Sequence, residues 1–182
     1  MKLLAFAAST SRASINKRLV THAAEVFAQD FAPDAQVEIL DLNDYEMPIY
    51  NADREADGGV PELAKQLLAK IGEADALLIS YAEHNGNYTA AWKNTFDWMS
   101  RIDMKVFQGK PMVAMSASPG PGGGANALTA AKNSAPFFGA NLKGNFSVGP
   151  FGEKFDADKG HLIDADLIAT LKQSLSDLNT AI

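Results

Sequence analysis

Short apolar runs, each bounded by glycine, proline or small polar residues, alternate along this chain with longer stretches whose apolar residues recur at helical spacing. The runs are Leu3 to Ala7, Val37 to Leu40, Ala76 to Ser80, Met112 to Met115 and a weaker Asn141 to Val148. Between and after them Ile15, Leu19, Ala23 and Val26 share one helical face, Leu63, Leu67, Leu68 and Ile71 a second, and Trp92, Phe96 and Met99 a third. Leu167, Ile168, Leu171, Leu175 and Leu178 supply the last. Strands without a polar face must be covered on both sides, and a helix between consecutive strands makes them parallel with right-handed crossovers.

Five strands and about five helices fit an α/β three-layer sandwich of flavodoxin-like type, a five-stranded parallel sheet in the order 2-1-3-4-5 with helices on both faces. A length of 182 residues suits one domain covering 1–182, with no internal repeat or linker. In such sheets ligands bind beyond the carboxyl ends of the strands, so the loops after strands one, three and four are expected to form the site.

Composition narrows the chemistry. A formal net charge of -6 argues against a general nucleic-acid binder, which needs clustered basic residues. The absence of cysteine removes disulfides, thiolate catalysis, iron–sulfur clusters and cysteine-containing zinc sites, so redox chemistry needs a bound cofactor. His22, His84 and His161 are widely separated and carry no metal-ligand spacing. The apolar N-terminus passes into polar residues too soon for a secretory leader and reads as a buried strand. No apolar run approaches the ~20 residues of a membrane span, so no membrane insertion and a cytoplasmic location are expected.

The first loop, Ser9 to Asn16, brings hydroxyls and backbone N–H groups to a helix N-terminus, an arrangement that holds phosphate; Lys17 and Arg18 follow in the first turn. The plainer reading leaves Ser14 an N-cap and the basic residues in water. The second loop, Tyr81 to Tyr88, sets polar aromatic groups beside Asn85-Gly86, which suits a planar heterocycle and equally suits a solvated His84 at an ordinary turn. On the helix after it, Trp92, Phe96 and Met99 are most simply core, and Asp97 and Arg101 have the spacing of a helix-surface pair. The third loop, Ser116 to Ala125, is rich in glycine, which lets backbone approach a ligand at an entropic cost. Its literal GxGxxA match follows the fourth strand, with no acidic residue ending the next, so a Rossmann reading is discounted. A Walker A loop fails at Met104, and no GxSxG elbow is present.

Together the three loops resemble the NADPH-dependent FMN reductase family, flavodoxin-like flavoproteins that include quinone, azo-dye and chromate reductases. The resemblance runs from Leu3 to about Val148. Its most specific part is Glu83-His84-Asn85-Gly86 followed by Lys93-Asn94, Phe96-Asp97-Trp98 and Ser100-Arg101. Ser9, Ser11, Ser14 and Asn16 match the family's phosphate loop, and Met47 to Asn51 with Ser116 to Gly124 are weaker matches. Ala8, Ala82 and His84 depart from the usual Gly, Pro and Tyr; histidine at the ring edge adds a group that titrates near neutrality.

The resemblance implies an FMN-dependent NAD(P)H oxidoreductase. Its FMN phosphate would be held by Ser9, Ser11, Ser14, Ile15 and Asn16, with Arg12 as a lid. The ring would lie between Ala82, Glu83, His84, Asn85 and Gly86 on one side and Ser118, Pro119, Gly120 and Gly123 on the other. NADPH or NADH would reduce the flavin, which would pass electrons to a quinone, free flavin or another small-molecule acceptor by a ping-pong mechanism, with no protein acid or base required. The acidic loop Asn51 to Gly59 would border the substrate opening, and Trp98, Met99 and Ile102 would supply a homodimer or homotetramer contact unless buried in the core. The alternatives are a flavodoxin-type electron carrier, whose phosphate pattern the first loop lacks, and a scaffold with weakened flavin binding.

Overall fold

The computed structural model describes residues 1–182. Five parallel strands lie in the order β2-β1-β3-β5-β6: β1 (Lys2–Ala8), β2 (Gln36–Leu40), β3 (Ala76–His84), β5 (Pro111–Ala117) and β6 (Asn141–Val148). The short β4 (Asn87–Tyr88) turns back antiparallel on β3, and β7 (Phe155–Asp156) with β8 (His161–Leu162) forms a separate small hairpin. The order of the five main strands is the expected one.

Alternation along the strands divides the interior in two. Leu4 and Phe6 of β1 and Leu77, Ile79 and Tyr81 of β3 face α3 (Glu62–Glu73), α4 (Ala90–Ser100) and α5 (Ala125–Ser134) in the larger core. Leu3, Ala5, Ala76 and Leu78 point the other way, against α1 (Ile15–Asp30) and α7 (Ala165–Thr180). Each buried Leu or Phe contributes about 1.5–3 kcal/mol of transfer free energy, which outweighs any local propensity in deciding that these runs become strands.

Two expectations need correction. Residues 51–59 are not an open loop but a capped short helix, α2 (Ala52–Gly58), whose N-cap Asn51 accepts the Arg54 N–H at 2.7 Å. It buries no residue, so it left no apolar period to read. A further helical turn, α6 (Phe151–Lys154), follows β6, and a 3-10 turn (Leu42–Tyr45) follows β2. The second correction concerns α4: Trp98 and Met99 are 1% and 0% exposed, sealed into the core, so only Ile102 of the three proposed contact residues is free at the surface.

Candidate functional site

The three loops meet. One open recess of about 250 Å³ beyond the carboxyl ends of β1, β3 and β5 is lined by Ser9, Ser11, Ser14, Ile15 and Asn16 from the first loop. Ala82, Glu83 and His84 line it from the second, and Ser118 and Pro119 from the third. Ala13 and Ala117, which carry no polar side chain to draw attention in the sequence, complete it. Arg12, Asn85, Gly86, Gly120 and Gly123 are outside its lining.

Ser14 is the N-cap of α1: its hydroxyl accepts the Lys17 N–H at 3.2 Å, and its own N–H donates to the Ser11 carbonyl at 3.1 Å. The N–H groups of Ile15 and Asn16 have no acceptor in the chain, which leaves two backbone donors at the positive end of a 16-residue helix. The buried Ser9 hydroxyl accepts the Ser11 N–H at 3.2 Å and shapes the turn. These donors fit a phosphate.

Asn16 does something the sequence reading missed. Its side chain is 3% exposed and is used up inside the protein. Oδ1 accepts the Ala117 N–H at 2.9 Å and the Ser80 hydroxyl at 2.8 Å, while Nδ2 donates to the Ala117 carbonyl at 3.0 Å. Asn16 thus ties the first loop to the third, and only its backbone N–H is left for an anion. The neighbouring basic residues are likewise placed differently from expectation. Lys17 pairs with Asp41 at 2.5 Å and holds that carboxyl down to about 2, helped by the Asn43 N–H. Arg18 lies with His22 in a groove beside the β7–β8 hairpin, so neither lines the recess. Half-burial, followed by the proximity of His161, lowers the pKa of His22.

In the second loop, β3 runs past Ser80 because Tyr81 and Ala82 pair with Ser116 and Ala117 of β5. Ala82, Glu83 and His84 therefore sit on strand rather than loop. Asn85 and Gly86, with φ of 52° and 77°, make the two-residue turn to β4 that Asn-Gly favours. The Glu83 carboxylate reaches across to α5, accepting the N–H groups of Asn126 at 2.8 Å and Ala127 at 3.0 Å. It caps a helix whose own N-cap residue, Gly124, has no side chain to do so.

The glycines of the third loop have divided roles. Gly120 has open space where a Cβ would stand. Gly123 has φ of 60°, and a Cβ there would stand 3.0 Å from the backbone carbon of Val148. Close packing on β6 accounts for the glycine at this position.

The long α4 pattern is mostly structural as well. Asn94 accepts the Tyr50 N–H at 2.8 Å and donates to the Met47 and Pro48 carbonyls, and Trp98 Nε1 donates to Pro48 at 2.7 Å. Together they fix residues 47–50. Asp97 pairs with Lys93 at 2.7 Å, and Arg101 with Glu55 at 2.9 Å, instead of the two pairing with each other. A second recess of about 270 Å³ opens between residues 47–49, the 3-10 turn and the start of α4. Thr10, between Ser9 and Ser11 of the first recess, lines this one.

Residues 1–152 match the NADPH-dependent FMN reductase family. The chain belongs to that family. NADPH-dependent FMN reductases are FMN-dependent and use NAD(P)H, and this chain is an FMN reductase-like oxidoreductase. An NADPH:quinone oxidoreductase of Arabidopsis thaliana is 30% identical over 182 residues, 98% of this chain and 90% of the relative. A quinone reductase of Escherichia coli (strain K12) is 29% identical over 133 residues, covering 72% and 71%. Among solved structures, FerB, a flavoenzyme NAD(P)H:(acceptor) oxidoreductase from Paracoccus denitrificans, superimposes with a TM-score of 0.74 at 25% identity, covering 98% of this chain and 95% of its own. An FMN-dependent NADH-azoreductase from Bacillus anthracis in complex with FMN shares the fold at 15% identity, with a TM-score of 0.61 over 100% of this chain and 97% of that one. No helix is long and apolar enough to cross a membrane.

Proposed function

We propose that this FMN reductase family member binds FMN in the three-loop recess and catalyses electron transfer from NADPH or NADH to a small quinone or free flavin by a ping-pong mechanism. The observation that carries the reading is the pair of unpartnered N–H groups on Ile15 and Asn16, facing a recess that the second and third loops also line. Those two donors, with the Ser11 and Ser14 hydroxyls, would take the phosphate. Backbone at Ala82 to His84 and at Ser118 to Gly120 would meet the ring. The chemistry supplied by bound FMN is acceptance of a hydride from NAD(P)H and its delivery, after the nicotinamide departs, to the acceptor.

The protein's own share is positioning. Asn16 and Glu83 hold the three loops at fixed separations, and the second recess beside Thr10 offers room for a nicotinamide or acceptor ring. Self-association is part of the proposal: Ile102, Met104 and Phe137 are 41%, 52% and 63% exposed, apolar side chains that a homodimer or homotetramer would cover. Neither recess has a feature that selects NADPH over NADH.

The decisive experiment titrates apoprotein with FMN and with riboflavin, which differ only in the phosphate. FMN should bind at least tenfold more tightly, and the loaded protein should oxidise NAD(P)H when a quinone is added. Equal affinity for the two flavins would remove the phosphate site; tight FMN binding without reduction by NAD(P)H would leave an electron carrier instead of a reductase.

A further inference from the structure

On the opposite face of β3 from the flavin recess, a cavity of about 190 Å³ opens between β3, α4 and α5. The rings of Tyr81, Tyr88, Trp92, Phe96, Phe107 and Phe138 wall it, and the Lys93–Asp97 ion pair stands at its mouth. No residue lines both this cavity and the flavin recess: Tyr81 lines one and its neighbour Ala82 the other. A cavity of about 150 Å³ is enough to take up benzene, so this one accommodates a substituted six-membered ring.

Its polar content is unusual. Tyr88 has a partner, the Ser134 hydroxyl at 3.4 Å. The Tyr81 hydroxyl has none in the chain, although the residue is 1% exposed, and neither has the indole nitrogen of Trp92, also 1% exposed. Every side-chain nitrogen or oxygen that is fully occluded in this protein is hydrogen-bonded. Neither atom is fully occluded, and the two residues that carry them both line this cavity. An indole N–H only donates, and a phenol whose ionisation is suppressed by burial donates readily. A complementary ligand thus needs a flat ring and an acceptor oxygen, because a plain hydrocarbon would leave both donors unpaired.

We propose that this cavity is a second ligand site, separate from the flavin recess, for a single-ring carbonyl compound of the acetophenone or benzoquinone class, its oxygen accepting hydrogen bonds from Tyr81 and Trp92. The proposal goes beyond the flavin reading and does not rest on it.

Acetophenone is a suitable probe, with ethylbenzene as the oxygen-free match, each titrated into the full-length protein with and without saturating FMN and followed by backbone amide NMR. Acetophenone should shift the amides around Tyr81, Trp92 and Ala131 in both samples and bind more tightly than ethylbenzene. Tyr81→Phe, which keeps the ring and loses the hydroxyl, should weaken acetophenone about five- to tenfold and leave ethylbenzene unchanged. Ala131→Leu should block both by filling the cavity. Equal affinity of wild type and Tyr81→Phe for acetophenone, shifts confined to Ser9–Asn16 and Ala82–His84, or no binding because a second copy of the chain covers the mouth would each overturn the proposal. Flavin absorbance, read separately, reports on the FMN site whatever happens here.

Discussion

The Glu83 carboxylate lies 2.8 Å from the Asn126 N–H and 3.0 Å from the Ala127 N–H, capping a helix that begins more than forty residues later in the chain. Replacing it by Ala should remove the charge-assisted cap and cost about 1–2 kcal/mol of stability, seen as a lower urea midpoint. Because the same bonds fix β3 against the start of α5, where the third loop ends, FMN affinity should fall too. An unchanged midpoint in Glu83→Ala would show that α5 needs no cap from β3.

Asn16 predicts a larger loss. In Asn16→Ala the Ala117 N–H and carbonyl and the Ser80 hydroxyl would be left buried without partners, at an expected cost of about 2–4 kcal/mol. Ser80→Ala in the same background should restore part of this, since it removes one of the stranded groups. Denaturant unfolding of the two single variants and the double variant measures the coupling.

Ser14→Ala separates capping from phosphate binding. Loss of the cap alone costs about 1 kcal/mol of stability and leaves riboflavin affinity unchanged. A phosphate contact adds a specific weakening of FMN, expected at about tenfold, measured by flavin fluorescence quenching with both ligands.

The Lys17–Asp41 pair gives a pH dependence. Lys17, and then the Asn43 N–H, lower the Asp41 pKa to about 2, so the pair stabilises the folded chain at neutral pH and loses that contribution as pH falls from the ordinary carboxylate range through about 2. Both side chains are more than a third exposed, which limits the gain to about 1 kcal/mol. Asp41→Asn should lower stability by that amount at pH 7 and match wild type in strong acid. Urea midpoints across pH check it.

His22 adds to the same trend at higher pH. Burial, then His161, lowers its pKa below the ordinary histidine value, so the unfolded chain takes up the proton first. Stability is expected to fall as pH drops below about 6.5, with His22→Phe removing that slope. Histidine ring NMR gives the midpoint directly.

What the sequence disclosed depended on how far each residue's role repeats along the chain. The central strands β1, β3 and β5 are buried almost throughout and show as unbroken apolar runs, while α1, α3, α4 and α7 each bury one face at helical spacing, and both signals are visible without a structure. The two-residue strands of β4 and the β7–β8 hairpin are too short to have a period. At the site, residue type pointed to three loops that the fold brings to one recess, but it could not separate side chains that face the recess from those that hold it. Gly123 and the Asn16 amide belong to the second group, through contacts with Val148 and with Ala117. Each of those partners lies at least 25 residues away, beyond the reach of any local pattern.

Asn16 bonds the first loop to the end of β5, and Glu83 bonds the end of β3 to the start of α5, the helix that follows the third loop. The rim of the recess is therefore triangulated, with two of its three sides braced by hydrogen bonds that exist before any ligand arrives. A rim ordered by folding rather than by its ligand would spare binding the cost of loop ordering, and one small molecule would replace another without the walls being rebuilt.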